Sequence, residues 1–131
     1  MKIVIEIVPH MSQRYNTIGD WQWFGETLSI KVSEMGNWKY ECLVGLHEAI
    51  ETILCRDAGV SEEDVDKFDL SHPELHEPGN SLEAPYHKQH LVAIAIEEIL
   101  AKHLKVDLEA YENKMEWLQQ QRDFNDATPL A

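Results

Sequence analysis

The residues best suited to chemistry lie at helical spacing in segment 43–51, which reads Leu-Val-Gly-Leu-His-Glu-Ala-Ile-Glu. His47 and Glu51 are four residues apart, so on a helix their side chains project from one face. An imidazole nitrogen and a carboxylate oxygen placed in this way can bind one metal ion together. Glu48 follows His47 directly and falls near the boundary with the solvent side of the same helix.

A second group of polar residues follows in segment 87–98. His90 and Glu97 are seven residues apart and nearly aligned over two helical turns, while His87 lies one turn before His90. His87 and His90 precede a segment, 91–100, that is apolar except for Glu97 and Glu98. Burying such a stripe without partners costs a few kcal/mol per group.

The two polar stripes can serve as each other's partners if their helices pack at about 8–10 Å. We therefore predict a metal site with His47, Glu51, His90 and Glu97 as ligands, and with supporting hydrogen bonds from His87 or Glu98. Two other interpretations of the same spacing stay open. The side chains can form a purely structural network of His–carboxylate hydrogen bonds, or the stripes can face water.

The order of these pieces resembles the active core of the zincin metallopeptidases. In that family an H-E-x-x-H helix lies beside an edge strand, and a third ligand, often Glu, follows from a later helix. The resemblance covers residues 40–101 and implies that His47 is the first zinc ligand and Glu48 the general base. It implies Glu97 or His90 as the third ligand. Glu51 stands where the family has its second His, so the motif reads HEAIE.

A carboxylate in that position makes the ligand set harder in the Lewis acid–base sense, so manganese and iron become candidates in addition to zinc. The expected function is that of a metal-dependent hydrolase-like protein, in which Glu48 activates water on a Zn, Mn or Fe ion. The chain also resembles the helical MazG-type pyrophosphohydrolases, which hold magnesium with carboxylate pairs on facing helices. Such pairs are available here as Glu48/Glu51 and Glu97/Glu98. The histidines count against it, since magnesium prefers oxygen ligands.

The elements that position these residues can be predicted from periodicity. Alternating apolar residues predict strands over 2–8 and 27–32, and we expect an antiparallel sheet of two or three strands in the first third. Three to four helices follow, over 38–58, after Ser61, from Pro85 to about Leu104, and after Asp107. The fold class is α+β, with a single domain over 1–121 and a frayed tail over 122–131.

Composition narrows the functional classes. The chain of 131 residues carries 11 basic and 24 acidic residues, for a net charge of −13, which argues against nucleic-acid binding and against anionic membranes. Two cysteines and no visible signal segment indicate a reduced, cytoplasmic protein. The chain also resembles the many small acidic proteins that bacteriophages and prophages encode.

Segment 57–83 holds nine acidic residues and one lysine. This charge suggests a docking surface for a basic protein partner. The alternative function is therefore a non-enzymatic acidic binding or inhibitor protein, in which the His/Glu cluster is structural. The sequence indicates neither an oligomeric state nor a substrate.

Overall fold

The computed structural model describes residues 1–128. Three strands at the N-terminus precede four helices, which confirms the α+β class. The strands are β1 (Lys2–Val8), β2 (Gly19–Phe24) and β3 (Thr27–Ser33). The helices are α1 (Trp38–Ala58), α2 (Glu62–Ser71), α3 (His87–His103) and α4 (Leu108–Ala127), with single 3-10 turns at His10–Ser12 and Pro78–Asn80.

The sheet is mixed, which corrects the expectation of a purely antiparallel sheet. The strand order is β1-β3-β2, and β2 forms an antiparallel hairpin with β3, whereas β1 lies parallel to β3. Alternation predicts the faces of a strand but not its neighbours. The strands differ in how deeply they are buried. Leu28, Ile30 and Val32 of β3 are fully buried, which fits the position of β3 in the centre of the sheet.

Local signals explain the bounds of α1. The Asn37 side chain accepts hydrogen bonds from the backbone N–H groups of Lys39 and Tyr40, which otherwise lack helical partners. At the other end, Gly59 adopts the left-handed conformation at φ 76°, which is easiest for glycine. The helix packs against the sheet on one side and against α3 on the other. It therefore places His47 and Glu51 between the two layers.

The last helix continues past the start of the predicted tail. It runs to Ala127, and Arg122 anchors it because its Nη1 donates to the backbone oxygens of His10, Gln13 and Tyr15 at 2.9–3.1 Å. These contacts are far apart in sequence, so periodicity does not reveal them. The rest of the predicted tail, residues 129–131, lies outside the described residues. No helix within 1–128 has the length and apolar character needed to cross a membrane.

Candidate metal centre

Helices α1 and α3 bring three predicted ligands to one point. The Nε2 atom of His47 lies 3.1 Å from Oε2 of Glu51 and 3.2 Å from Nδ1 of His90. The same Oε2 lies 2.8 Å from Nδ1 of His90, which closes a triangle. All three side chains are buried. Helical spacing supplies the first two atoms, and the packing of α3 on α1 supplies the third.

The triangle has the dimensions that a small divalent cation requires. Zinc and related ions bind imidazole nitrogen and carboxylate oxygen at about 2.0–2.2 Å, which separates neighbouring ligand atoms by roughly 3.0–3.5 Å. His47, Glu51 and His90 can therefore hold a divalent ion. Two imidazoles and one carboxylate suit zinc and also non-haem iron, so the ligands leave the metal open.

A carboxylate on α3 fixes the orientation of His47. Its Nδ1 lies 2.6 Å from Oε1 of Glu97. An ionised carboxylate only accepts hydrogen bonds, so Nδ1 carries the hydrogen and Nε2 is the atom left for a metal. Burial lowers the pKa of His47, but hydrogen bonds to Glu51 and Glu97 outweigh it and raise the pKa to about 11.

A turn before α3 fixes the second imidazole in the same way. Nε2 of His90 lies 3.0 Å from Oδ1 of Asn80, and Nδ2 of Asn80 donates to Glu77 at 3.1 Å, which orients the amide. Nε2 of His90 is therefore the donor, and Nδ1 faces Glu51. Gly79 lies so close to this ring that a Cβ there would be 2.5 Å from Cγ of His90.

Burial and hydrogen bonding act in opposite directions on the two glutamates of α1. Burial favours the neutral form of Glu51, but hydrogen bonds from His47 and His90 outweigh it and lower the pKa. Burial, followed by the charge of Glu51, raises the pKa of Glu48. The Glu48 side chain lies against Gly19 of β2, where a Cβ would be 2.6 Å from its Cγ.

The structure places the other predicted residues around the triangle. Glu97, predicted as a ligand, contacts the far nitrogen of His47 instead of joining the three converging atoms. His87, predicted as a supporting residue, has its Nδ1 2.8 Å from the carbonyl oxygen of Gly79 and so holds the turn under His90. Glu98, the other predicted support, lies on the exposed side of α3.

The triangle lies in the wall of a cavity of about 330 Å³. Glu48 lines the same cavity, next to the ligands. Among residues 1–128, no lysine or arginine lines it. Nine carboxylates do: Asp20, Glu48, Glu51, Asp66, Asp69, Glu77, Glu97, Glu112 and Glu116.

Asp69 of α2 also lines the cavity and was not predicted as a site residue. Its two oxygens accept hydrogen bonds from the hydroxyls of Tyr15, at 3.0 Å, and Tyr86, at 2.6 Å. Burial raises the pKa of Asp69 to about 6, although the two tyrosine hydrogen bonds lower it. These residues come from three separate segments, and nothing in their spacing connects them.

A buried tyrosine of α4 also lines the cavity and was not predicted. Tyr111 is 2% exposed, and within residues 1–128 its hydroxyl has no hydrogen-bond partner. The hydroxyl lies beside Glu97 without forming a hydrogen bond of good geometry. Burial, and then the charge of Glu97, raise the pKa of Tyr111, so the hydroxyl stays protonated.

Comparisons with family models, with curated proteins and with solved structures found no match to this chain. The chemistry of the site therefore follows from its own residues and their geometry.

Proposed function

We propose that this protein is a metal-dependent hydrolase whose ion is held by His47, Glu51 and His90. The observation that carries the proposal is the fixed orientation of both imidazoles. Glu97 and Asn80 take the outer N–H groups, so the inner nitrogens lie 3.1 and 2.8 Å from Oε2 of Glu51 and 3.2 Å from each other. Outer hydrogen bonds of this kind are the usual support of metal-binding histidines.

Different residues of the site would have different roles in hydrolysis. A divalent ion supplies Lewis acidity, which polarises a carbonyl or phosphoryl group and makes water more acidic. Glu48 lines the same cavity, where the positive charge of a bound ion would favour its ionised form; the carboxylate would then take a proton from the attacking water and pass it to the leaving group. Glu97 acts on His47 by orienting it, and His87 and Gly79 hold His90 in place.

Zinc is the first candidate for the ion, with manganese and iron as alternatives. Two nitrogens and one oxygen form the ligand set of several zinc hydrolases and also of non-haem iron sites. The order His, Glu, His along the chain differs from the zincin order His, His, Glu, but the ligand types are the same. This agreement supports the zincin-like resemblance as a proposal about chemistry.

The first test is elemental analysis of protein purified without a histidine tag. We expect close to one equivalent of zinc, manganese or iron. The second test uses Glu48→Gln, which should keep the metal and lose hydrolysis of chromogenic ester, amide and phosphodiester substrates. His47→Ala should lose both. Glu98→Gln, on the exposed side of α3, is the matched control.

Two results would contradict the assignment. A stable protein that binds none of the three metals after reconstitution would show that the cluster is structural. Loss of metal from Glu48→Gln as complete as from His47→Ala would make Glu48 a ligand and leave the reaction without its base.

A second candidate function is protein binding, and the outer face of α3 favours it. Leu91, Val92, Ile96 and Ile99 are 41–61% exposed and share one side of the helix, opposite His90 and Glu97. Exposed apolar patches on helices are common at protein interfaces. A pull-down from cell extract at low and high salt tests it, together with the acidic segment 57–83. An apolar contact survives high salt, whereas a charged contact is screened.

A further inference from the structure

We infer that the cavity takes a substrate bearing an organic cation, an ammonium or guanidinium group, with Asp69 as its anionic partner. The inference deepens the proposed function, because it places the charged group of the substrate in the cavity that also holds the metal ligands. Binding of the cation can nevertheless be measured without any metal, so the two proposals can fail separately.

Three carboxylates that line the cavity, Asp20, Asp66 and Asp69, differ in whether a positive charge neutralises them. Arg14 pairs with Asp20 through Nε and Nη2 at 2.7 and 2.8 Å, and with Asp66 at 3.0 and 3.1 Å. Among the residues that the structure describes, Asp69 receives only the two neutral tyrosine hydroxyls. Each carboxylate oxygen accepts about two hydrogen bonds, so Asp69 keeps acceptor capacity for an N–H donor.

The buried hydroxyl of Tyr111 also points to a polar ligand. A buried hydroxyl without a partner is unfavourable, and native proteins rarely retain one without a reason. A phenol oxygen can accept from the N–H of a ligand while its own hydrogen turns to Glu97. Tyr111 and Asp69 line the same cavity, so both side chains can contact one bound ligand.

The walls of the cavity combine aromatic rings with carboxylates, a combination that suits an organic cation. Aromatic rings of Tyr15, Trp21 and Tyr86 line the cavity beside the carboxylates. Aromatic faces attract ammonium and guanidinium groups, and the attraction strengthens when water is excluded. Glu112 and Glu116 add negative charge from exposed positions on α4, which raises the local concentration of cations.

The size of the cavity limits the ligand to a small group. A volume of about 330 Å³ corresponds to roughly eleven water molecules at about 30 Å³ each. It is near the lower end of ligand pockets, so it admits one amino-acid residue or a small amine. The charged end of a lysine or arginine derivative meets both the size and the charge.

The experiment measures binding of N-acetyl-arginine amide and N-acetyl-lysine amide to chelator-treated protein by calorimetry. N-acetyl-citrulline amide, which is uncharged and similar in shape to the arginine compound, is the control ligand. We expect the charged compounds to bind at least tenfold more tightly than the citrulline compound, because a hydrogen bond to a charged group is worth that factor or more.

Variants locate the anchor. Asp69→Asn should weaken binding of the charged compounds by about tenfold or more, whereas Asp57→Asn, an exposed acid at the end of α1, should change it less than about twofold. Tyr111→Phe removes a hydroxyl that, within residues 1–128, lies beside Glu97 without a hydrogen bond of good geometry. It should therefore keep the melting temperature and weaken binding several-fold, which gives a readout even if Asp69→Asn folds poorly.

Three results would overturn the inference. The first is equal binding of the citrulline and arginine compounds to the wild-type protein. The second is unchanged binding in both Asp69→Asn and Tyr111→Phe. The third is a zinc titration in which the wild type binds two equivalents and Asp69→Asn binds one, because Asp69 would then serve a second metal ion. Absence of zinc binding contradicts only the proposed function and leaves the cation measurement valid.

Discussion

Zinc should stabilise the native protein by an amount that can be calculated before the experiment. Only the folded chain brings His47, Glu51 and His90 together, so zinc at one hundred times its Kd adds about 2.7 kcal/mol to the free energy of unfolding. A chain of 131 residues unfolds with an entropy of about 0.28 kcal/mol/K near its midpoint. The melting temperature should therefore rise by about 10 °C.

Replacing Glu51 with Gln should remove most of this rise. The amide keeps the shape of the side chain but loses the charge that zinc requires. If the affinity falls about a hundredfold, the same zinc concentration equals the new Kd, and the stabilisation falls to about 0.4 kcal/mol, or roughly 1.5 °C. His103→Gln, an exposed histidine at the end of α3, should keep the full rise.

The effect of zinc should grow with pH, and the sign follows from His47. Its pKa is raised from 6.5 to about 11 without metal, so its charged form contributes stability that is complete below pH 6.5 and is lost as the pH rises towards 11. Zinc must displace that proton, so its apparent affinity rises about tenfold per pH unit over this range. Scanning fluorimetry with zinc and with chelator at pH 6.5, 7.5 and 8.5 measures both quantities.

Two outcomes would refute this reasoning. If bound zinc leaves the melting temperature unchanged, the ion binds the unfolded chain equally well and does not use the triangle. If the zinc affinity stops rising above about pH 7, His47 titrates like an ordinary histidine. The carboxylates of Glu51 and Glu97 then do not hold its proton.

Two further sets of variants test the contacts around the site. Gly79→Ala places a Cβ 2.5 Å from Cγ of His90, so it should weaken zinc binding at least tenfold in a chelator competition. Gly19→Ala places a Cβ 2.6 Å from Cγ of Glu48, so it should keep zinc binding and lose hydrolysis. The reverse pattern would contradict the roles assigned to His90 and Glu48. Arg122→Met should lower the free energy of unfolding, measured in urea, by about 2–3 kcal/mol, because three carbonyl oxygens lose a charged donor. The control is Lys102→Met, which replaces an exposed lysine. If Arg122→Met lowers the free energy no more than this control does, Arg122 does not anchor α4.

Local signals in the sequence predicted most of the helix ends, whereas α3 begins at His87, two residues after the predicted Pro85, and Tyr86 before it makes no side-chain capping hydrogen bond. Gly59 ends α1 in the left-handed conformation, and the side chains of Ser61 and Asp107 cap α2 and α4 as expected. The strand pairing was not predictable in this way. The hairpin that joins β2 to β3 turns at Gly25, whose φ is 59°, and β1 pairs with β3 across the intervening β2 segment of the chain.

The candidate site was predictable only where its spacing is helical. His47 and Glu51 follow from one turn of α1, and His90 follows from the polar stripe of α3. Asn80 lies in a loop without periodicity, so its contact with His90 could not be inferred. Asp69 and Tyr111 reach the cavity from α2 and α4, and their positions depend on how those helices pack.

The choice between a structural network and a metal site can be argued from the number of hydrogens available. Nδ1 of His47 and Nε2 of His90 already donate outwards, to Glu97 and Asn80. Three contacts of 2.8–3.2 Å then join two imidazole nitrogens and Oε2 of Glu51. Hydrogens on both nitrogens serve the two contacts to Oε2 of Glu51 but leave two N–H groups 3.2 Å apart, which repel each other. One divalent ion at the centre would satisfy all three atoms together, and this is the physical reason for the metal site that we propose.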